Sequence, residues 1–435
     1  MTGTANRLIF SLNNSPVVFT SHIRPQFSGL PARKDELMLI SKKMVTNASG
    51  ASMVRKMFEE GRVMKQQYGD DNVFDFSIGN PDVPPPPVFT ETLIKLLQKD
   101  APGMHGYMPN SGWPQVREKV ADFLNEEQGA GLANKFTANH ILMTSGAGGA
   151  LNVTFKTICD EGDEFITPKP YFMEYGFYVD NHGGKLVPAD SGSGFKLDIK
   201  AIEAKLSPNT RAVLINSPHN PTGVIYDAQE LTALGELLTK AGERNGRPIM
   251  LVSDEPYRKL AYGGVKVPSV FAAYPYSVVC TSYSKDLSLA GERIGYIAIN
   301  PDMPENAQLF EAMTVANRIL GFTNANSLMQ LAVGELQGLS VDINLYEERR
   351  DVFVKGLLDI GYELAVPRGA FYLFPKTPIE DDMAFVNMLK EEKVLTVPGR
   401  SFGQPGYFRI CYCVPMKTIQ NSLKGFASAF ARAKG

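Results

Sequence analysis

Asp254-Glu255-Pro256-Tyr257 and Ser282-Tyr283-Ser284-Lys285, the latter followed by Gly291 and Arg293, set a carboxylate, a phenol, an amine and a guanidinium within one forty-residue stretch. Asp254 follows the apolar run "IMLVS", where a carboxylate is costly to bury without a positive partner, so a cation is expected to face it. Upstream, Ser145-Gly146-Ala147-Gly148-Gly149-Ala150 offers free backbone N–H groups and the positive end of a following helix to an anion, above all a phosphate. Asn216-Ser217-Pro218-His219-Asn220-Pro221-Thr222-Gly223 surrounds with turn residues an amide that can donate and accept.

These residues need elements to position them. From Ile141 onward, β-rich runs ("ILMTS", "EFITPKP", "GKLVPAD", "AVLINSP", "IMLVSDEP", "SVVCTSYS", "GYIAIN") alternate with helical segments, including 148–158 and 228–245. Seven strands with helical crossovers predict an α/β fold, a mainly parallel sheet covered by helices on both faces. In such a sheet ligands bind beyond the carboxyl ends of the strands, where each of these motifs falls. A phosphate cradle, a carboxylate, a phenol, an amide, a lysine and an arginine placed there are the parts needed to hold pyridoxal 5′-phosphate. After Asn300 the pattern turns to long helices up to about Gly361, then extended pieces at "GAFYLFP" and "YFRICYC" and a last helix from about Met416, which reads as a smaller α+β domain. Ahead of the sheet come a helix over 51–67, the extended "VFDFSIG", a proline linker over 84–87 and a helix over 113–126 with Pro114 in its first turn.

Composition removes other classes. Lys and Arg number 44 against 46 Asp and Glu, a formal charge of −2, which is not the basic footprint of a general nucleic-acid binder. No uncharged apolar run approaches the ~18 residues of a membrane-spanning helix. Cys159, Cys280, Cys411 and Cys413 are too few and too oddly spaced for a disulfide framework and are read as buried thiols in a reducing compartment. His105, His140, His182 and His219 lack metal-ligand spacing, so no metal is expected, and His219 is read as a turn residue. Residues 1–34 contain no Asp or Glu but carry Arg7, Arg24, Arg33 and Lys34 among Ser and Thr, the composition either of an organellar transit peptide or of a plain extension. The location expected is therefore cytoplasmic, or organellar if 1–34 acts as a leader.

The motifs, in order, are Gly79-Asn80-Pro81, Tyr107 with Gly112, the 145–150 loop, Pro170-Tyr171-Phe172, 216–223, 254–257, 282–293, Gly369-Ala370-Phe371 and Phe408-Arg409. In this they resemble the class I/II aminotransferases of the fold-type I pyridoxal-phosphate enzymes, over residues 77–431. The resemblance implies an extension over 1–43, an arm and part of a small domain over 44–90, a large cofactor domain over 91–330, and the rest of the small domain over 331–435. It also implies a homodimer with active sites at the subunit interface. Lys285 would be the Schiff-base lysine, Asp254 the partner of the pyridinium nitrogen, and Tyr257 and Asn220 the donors to the ring 3′-oxygen. Phe172 would stack on the ring. Backbone N–H groups of Gly146, Ala147 and Gly148, the Ser282 and Ser284 hydroxyls and Arg293 would hold the phosphate, with Tyr107 contributed across the dimer interface. Arg409, assisted by Asn220 and Gly79, would bind the substrate α-carboxylate. The reaction implied is ping-pong amino transfer from an amino acid to a 2-oxo acid, with aspartate and 2-oxoglutarate as the family's prior. A carbon–sulfur β-lyase or cyclopropane-forming synthase on the same cofactor, and a non-catalytic regulator of this fold, are the alternatives.

Overall fold

Apolar residues alternate along the sheet strands, and the two halves of the alternation go to different cores. The computed structural model describes residues 39–49 and 53–435. The short stretches Phe74–Asp75 (β1), Ile141–Thr144 (β2), Glu164–Pro168 (β3), Lys185–Ala189 (β4), Thr210–Asn216 (β5), Met250–Asp254 (β6), Ser277–Ser282 (β7) and Gly295–Ile299 (β8) are strands, as are Tyr372–Leu373 (β9), Val394–Leu395 (β10), Val397–Pro398 (β11) and Phe408–Cys411 (β12). The predicted seven form one sheet in the order β2-β8-β7-β6-β5-β3-β4. Every neighbouring pair from β7 to β4 is parallel, and β8 runs antiparallel to both β2 and β7. Val213, Ile215, Leu251 and Val279 pack into one buried cluster, while Ala212, Leu214, Val252 and Val278 pack into another. That is the period of two of a pleated strand buried on both sides, which the unbroken apolar runs require.

The helices over residues 228–245 and 416–434 lie where the sequence predicts, at Ala228–Asn245 and Met416–Lys434. Asp227 accepts from the Glu230 N–H while Glu230 reaches back to the Asp227 N–H, and Gly246 ends the helix in the left-handed region. Two boundaries differ from the sequence reading. The helix after β2 is Gly146–Ile158, starting two residues before the predicted 148, so Gly146 and Ala147 form its first turn rather than a preceding loop. The proline run is not all linker, because Pro87 is the first residue of the helix Pro87–Lys99, where a missing N–H costs nothing.

Ala51–Gly435 forms one compact unit; the helix Lys42–Ser49 precedes it. Within that unit a second framework stands on both ends of the chain. β1 pairs in parallel with β10, Phe74 opposite Val394, and β9, β12 and β11 make a three-stranded antiparallel sheet. Phe76, Phe353, Phe371, Phe408 and Phe426 fill a buried cluster of their own there. The 1–34 segment lies outside the described residues. Among the described residues no helix is long and apolar enough to cross a membrane.

Candidate active site

The strand register brings the motif residues to one edge of the sheet. Asn216 is paired with Asp254, Asp254 with Cys280, and both Ser282 and Thr144 with Gly295. The residues that follow β2, β3, β5, β6 and β7, with Arg293 just before the antiparallel β8, therefore meet around one cavity of about 300 Å³. Gly79, Ala147, Gly148, Phe172, Asn220, Asp254, Tyr257, Ser282, Ser284, Lys285, Arg293 and Arg409 all line it. Gly146 adjoins it through Arg293.

Asp254 forms the floor. It is buried, and desolvation raises its carboxyl to about 7, with Glu255 adding to the rise and a hydrogen bond from Tyr175 opposing it. The Tyr175 hydroxyl donates to Asp254 Oδ2 at 2.6 Å, whereas Oδ1 is buried with no partner among the described residues. Among the described residues the positive partner expected for Asp254 is thus not a side chain bonded to it, since a phenol occupies one oxygen and the other is unpaired.

At the anion end, Gly146 has φ +72°, and a Cβ there would stand 3.0 Å from the Arg293 guanidinium. Glycine at this position meets both demands, left-handed backbone and close approach. Arg293 is itself left-handed at φ 53°, a strained state for a side-chain-bearing residue, and it is held by donation from its Nη1 to the Ala290 carbonyl at 3.1 Å. With Ser282, Ser284 and the first turn of the helix Gly146–Ile158, it makes a concentrated set of donors for an oxyanion.

Lys285 donates from Nζ to the Gly79 carbonyl at 2.6 Å. Burial holds its amine below the usual lysine range; Arg409 and Arg293 act in the same direction, and Cys413 and Cys411 oppose it. A lowered lysine is a better nucleophile and proton carrier near neutrality.

The opposite wall comes from the second framework. Pairing of β12 with β9 and β11 places Arg409 beside Tyr372, and its guanidinium lies 4.8 Å from the ring centres of both Tyr372 and Phe402. Its Nη1 donates to Asn220 Oδ1 at 3.1 Å and its Nη2 to the Ser77 carbonyl at 2.6 Å, while the buried Nε has no partner. The Asn220 N–H is tied to Asn216 Oδ1 at 2.6 Å, so the amide is fixed from both sides. Tyr257 and Tyr372 share a hydroxyl contact of 2.7 Å.

Tyr107 is not brought to this cavity; its side chain is 94% exposed. His219 is a turn residue, its Nδ1 2.8 Å from Thr222 Oγ1, and burial lowers it to about 3. Three cysteines are buried, but Cys159 is only partly so, which corrects the reading of all four as buried. Tyr175, Tyr178 and Tyr372 line the cavity without having been singled out in the sequence. The first two were findable, because Tyr175 and Tyr178 stand three residues apart on one face of the helix Glu174–Asp180, just after Phe172.

A family model, aminotransferase class I and II, matches residues 71–426. The chain belongs to the class I and II aminotransferases. This aminotransferase is 31% identical to the aspartate aminotransferase of Geobacillus stearothermophilus, over 89% of this chain and 98% of that one. It is 30% identical to a probable aspartate/prephenate aminotransferase of Aquifex aeolicus, over 82% of this chain and 91% of that protein. Among solved structures, an amino transferase from Eubacterium rectale superposes with a TM-score of 0.88 at 39% identity, covering 92% of this chain and 100% of that one. The aspartate aminotransferase of Thermus thermophilus with maleate superposes with a TM-score of 0.79 at 26% identity, covering 90% and 100%. The family is of fold type I and generally depends on pyridoxal phosphate.

Proposed function

We propose that this aminotransferase binds pyridoxal 5′-phosphate in the 300 Å³ cavity and moves the amino group of an amino acid to a 2-oxo acid in ping-pong order, with Lys285 as its Schiff-base lysine. One observation carries the reading. A buried carboxylate with a free oxygen, a depressed lysine amine and a buried guanidinium with a free N–H converge on one cavity, each with bonding capacity unspent. The donor set fits the group: Asp254 Oδ1 for a ring N–H, Gly146, Ala147, Gly148, Ser282, Ser284 and Arg293 for the phosphate, Tyr257 and Asn220 for the ring oxygen, and Phe172 for the ring face.

When bound, the cofactor supplies an aldehyde for the amine and a ring that accepts electrons from the substrate Cα. The chain's residues do the rest. Asp254, ionised by the cationic ring nitrogen, keeps that nitrogen protonated, and Tyr175 holds the carboxylate in place. Arg409 presents a planar fork to the α-carboxylate from between two aromatic rings, and Asn220 and the Ser77 carbonyl fix its plane. With the substrate so held, the Lys285 amine would be positioned to take a proton from Cα and return it two bonds away, across the amino nitrogen, and that proximity supplies much of the rate.

Aspartate is proposed as amino donor on the names of the relatives, with 2-oxoglutarate as the acceptor that the family resemblance implies; aromatic-amino-acid aminotransferase 2 of Thermococcus litoralis, 28% identical, makes aromatic donors the second choice. The exposure of Tyr107 supports a homodimer in which it reaches the neighbouring subunit's phosphate. The pairing of β1 with β10 supports a small domain built from 44–90 and 331–435 around the large domain 91–330. A panel of amino donors, each added alone to cofactor-loaded protein and followed by absorbance, tests this reading. Stoichiometric conversion of the bound cofactor to its amine form with one donor is expected. Continuous release of ammonia and pyruvate would identify a lyase instead.

A further inference from the structure

Cys411 ends the strand that carries Arg409, and Cys413 follows two residues later. Arg409 and Cys411, two residues apart within the strand, share one of its faces. The Sγ atoms of Cys411 and Cys413 are 2.9 Å apart in the thiol form, and both side chains are buried. Lys285 and Arg409 are the cations that act on Cys411, and Lys285 acts on Cys413 too. Nothing in amino transfer uses these sulfurs.

We propose that Cys411 and Cys413 form a peroxide-reactive dithiol whose closure to a disulfide at the end of the strand displaces Arg409 and weakens binding of the substrate carboxylate. Cys411 is the attacking sulfur. In the cofactor-free protein burial raises its thiol, but the contact with Cys413 and the charges of Arg409 and Lys285 outweigh burial and leave it below the usual range, whereas Cys413 is raised by burial and by Cys411; with the cofactor bound, Arg409 is the cation that stays beside Cys411. Cys411 sulfur attacks one oxygen of hydrogen peroxide, the O–O bond breaks, and the departing hydroxide takes the thiol proton as water. Cys411 is then a sulfenic acid, oxidised by two electrons. Cys413 sulfur attacks it, the S–O bond breaks, and a second water leaves with the Cys413 proton. Two thiols and one peroxide give one disulfide and two waters.

The mechanical consequence follows from strand geometry. Cys413 is two residues past Cys411, the last residue of the strand, and in extended chain that spacing puts Cα atoms about 6.6 Å apart, near the upper end of the roughly 4.4–6.8 Å that a disulfide spans, so closure shortens the chain as it leaves the strand. The strand end is anchored at both of its edges, by the Cys411 N–H on the Phe76 carbonyl and by the N–H of Tyr412, between the two cysteines, on the Phe371 carbonyl, each at 3.0 Å. Shortening therefore pulls on the segment whose Ser77 carbonyl orients Arg409, and on the backbone next to Tyr372.

The disulfide itself does not depend on the proposed function, but its effect on carboxylate binding rests on that reading. The test treats cofactor-loaded protein with hydrogen peroxide and counts thiols after denaturation. The count is expected to fall from four to two, with the peptide containing 409–413 lighter by two hydrogens. The KM for the amino donor should rise about tenfold with a smaller change in kcat. The visible band of the bound cofactor should persist, and a thiol reductant should reverse the effect. Cys413→Ser and Cys411→Ser, made separately so that misfolding of one leaves the other, should each abolish the mass loss and the reversible KM change. The proposal is overturned if the pair stays reduced while Cys159 is oxidised, and equally if the disulfide forms and KM does not move. An untreated protein without amino-transfer activity would instead count against the proposed function, and the thiol count would still decide the disulfide.

Discussion

The two ends of the cavity are built differently. The end holding Asp254, Ser282, Lys285 and the helix Gly146–Ile158 stands on consecutive strands of one sheet, each residue fixed by the register of its neighbours. The end holding Arg409 is assembled from pieces far apart in the chain: the Ser77 carbonyl, Asn220 after β5, Tyr372 on β9 and Phe402. A sheet with both faces packed leaves its edge residues little freedom, whereas a site clamped between two frameworks changes when one moves against the other. The sheet end is thus suited to hold a permanent occupant, and the Arg409 end to admit and release a changing one.

The widest break in this comparison is Lys285→Ala, which removes the amine proposed to act at both ends. Single-turnover amino transfer is expected to fall by about 10³-fold or more, while absorbance titration still shows cofactor binding through the remaining sheet-end residues. Amino transfer at the rate of the unaltered protein would remove Lys285 from the chemistry. Arg409→Lys strikes the other end alone. Lysine keeps the charge but loses the planar fork held between two rings, and kcat/KM for the amino donor should drop about 10²-fold with cofactor affinity unchanged. A matching loss of cofactor affinity would show that the two ends are not separate.

A smaller effect is expected from Tyr175→Phe, which takes away the donor to Asp254 Oδ2 and leaves a buried carboxylate short of a bond. A loss of about 1–2 kcal/mol, or roughly tenfold in cofactor affinity by equilibrium dialysis, follows, with the KM for amino donor little changed. The smallest effect is on pH dependence. In cofactor-free protein the Asp254 carboxyl is raised from 3.8 to about 7, so the folded state holds its proton more tightly than the unfolded chain does. Its contribution to stability is full below about pH 4 and is lost as pH rises through about 7. Paired melting curves of the Asp254→Asn and unaltered cofactor-free proteins should differ in slope by a few degrees over that window. Cofactor should abolish the difference in the unaltered protein by placing a cation against the carboxylate.

Local pattern was enough for the sheet end. Each strand is a short apolar run stopped by polar or turn residues, and a parallel sheet places such stops at one edge, so Asp254, Ser282, Lys285 and Asn220 could be assigned together from sequence. The start of the helix at Gly146 was misjudged because consecutive glycines read as loop, while the structure uses their lack of side chains to bring Arg293 against the first turn. Tyr175 does not stand out in the sequence although it follows Phe172 closely, because a tyrosine in a helical segment reads as packing.

The amino-acid sequence by itself determined the strands, their crossovers and which polar residues stand at their ends, since these depend on residues within a turn or a strand of one another. Tertiary structure alone decided the rest. That Asp254 is held by a phenol, that Arg409 lies between Tyr372 and Phe402 with one N–H unpaired among the described residues, and that Cys411 touches Cys413 beside it all depend on how separate segments pack or on side-chain rotamers. Hydrophobic periodicity carries no information about which buried polar atom meets which. That is settled only when the frameworks pack and every group excluded from water has to find a partner or stay without one.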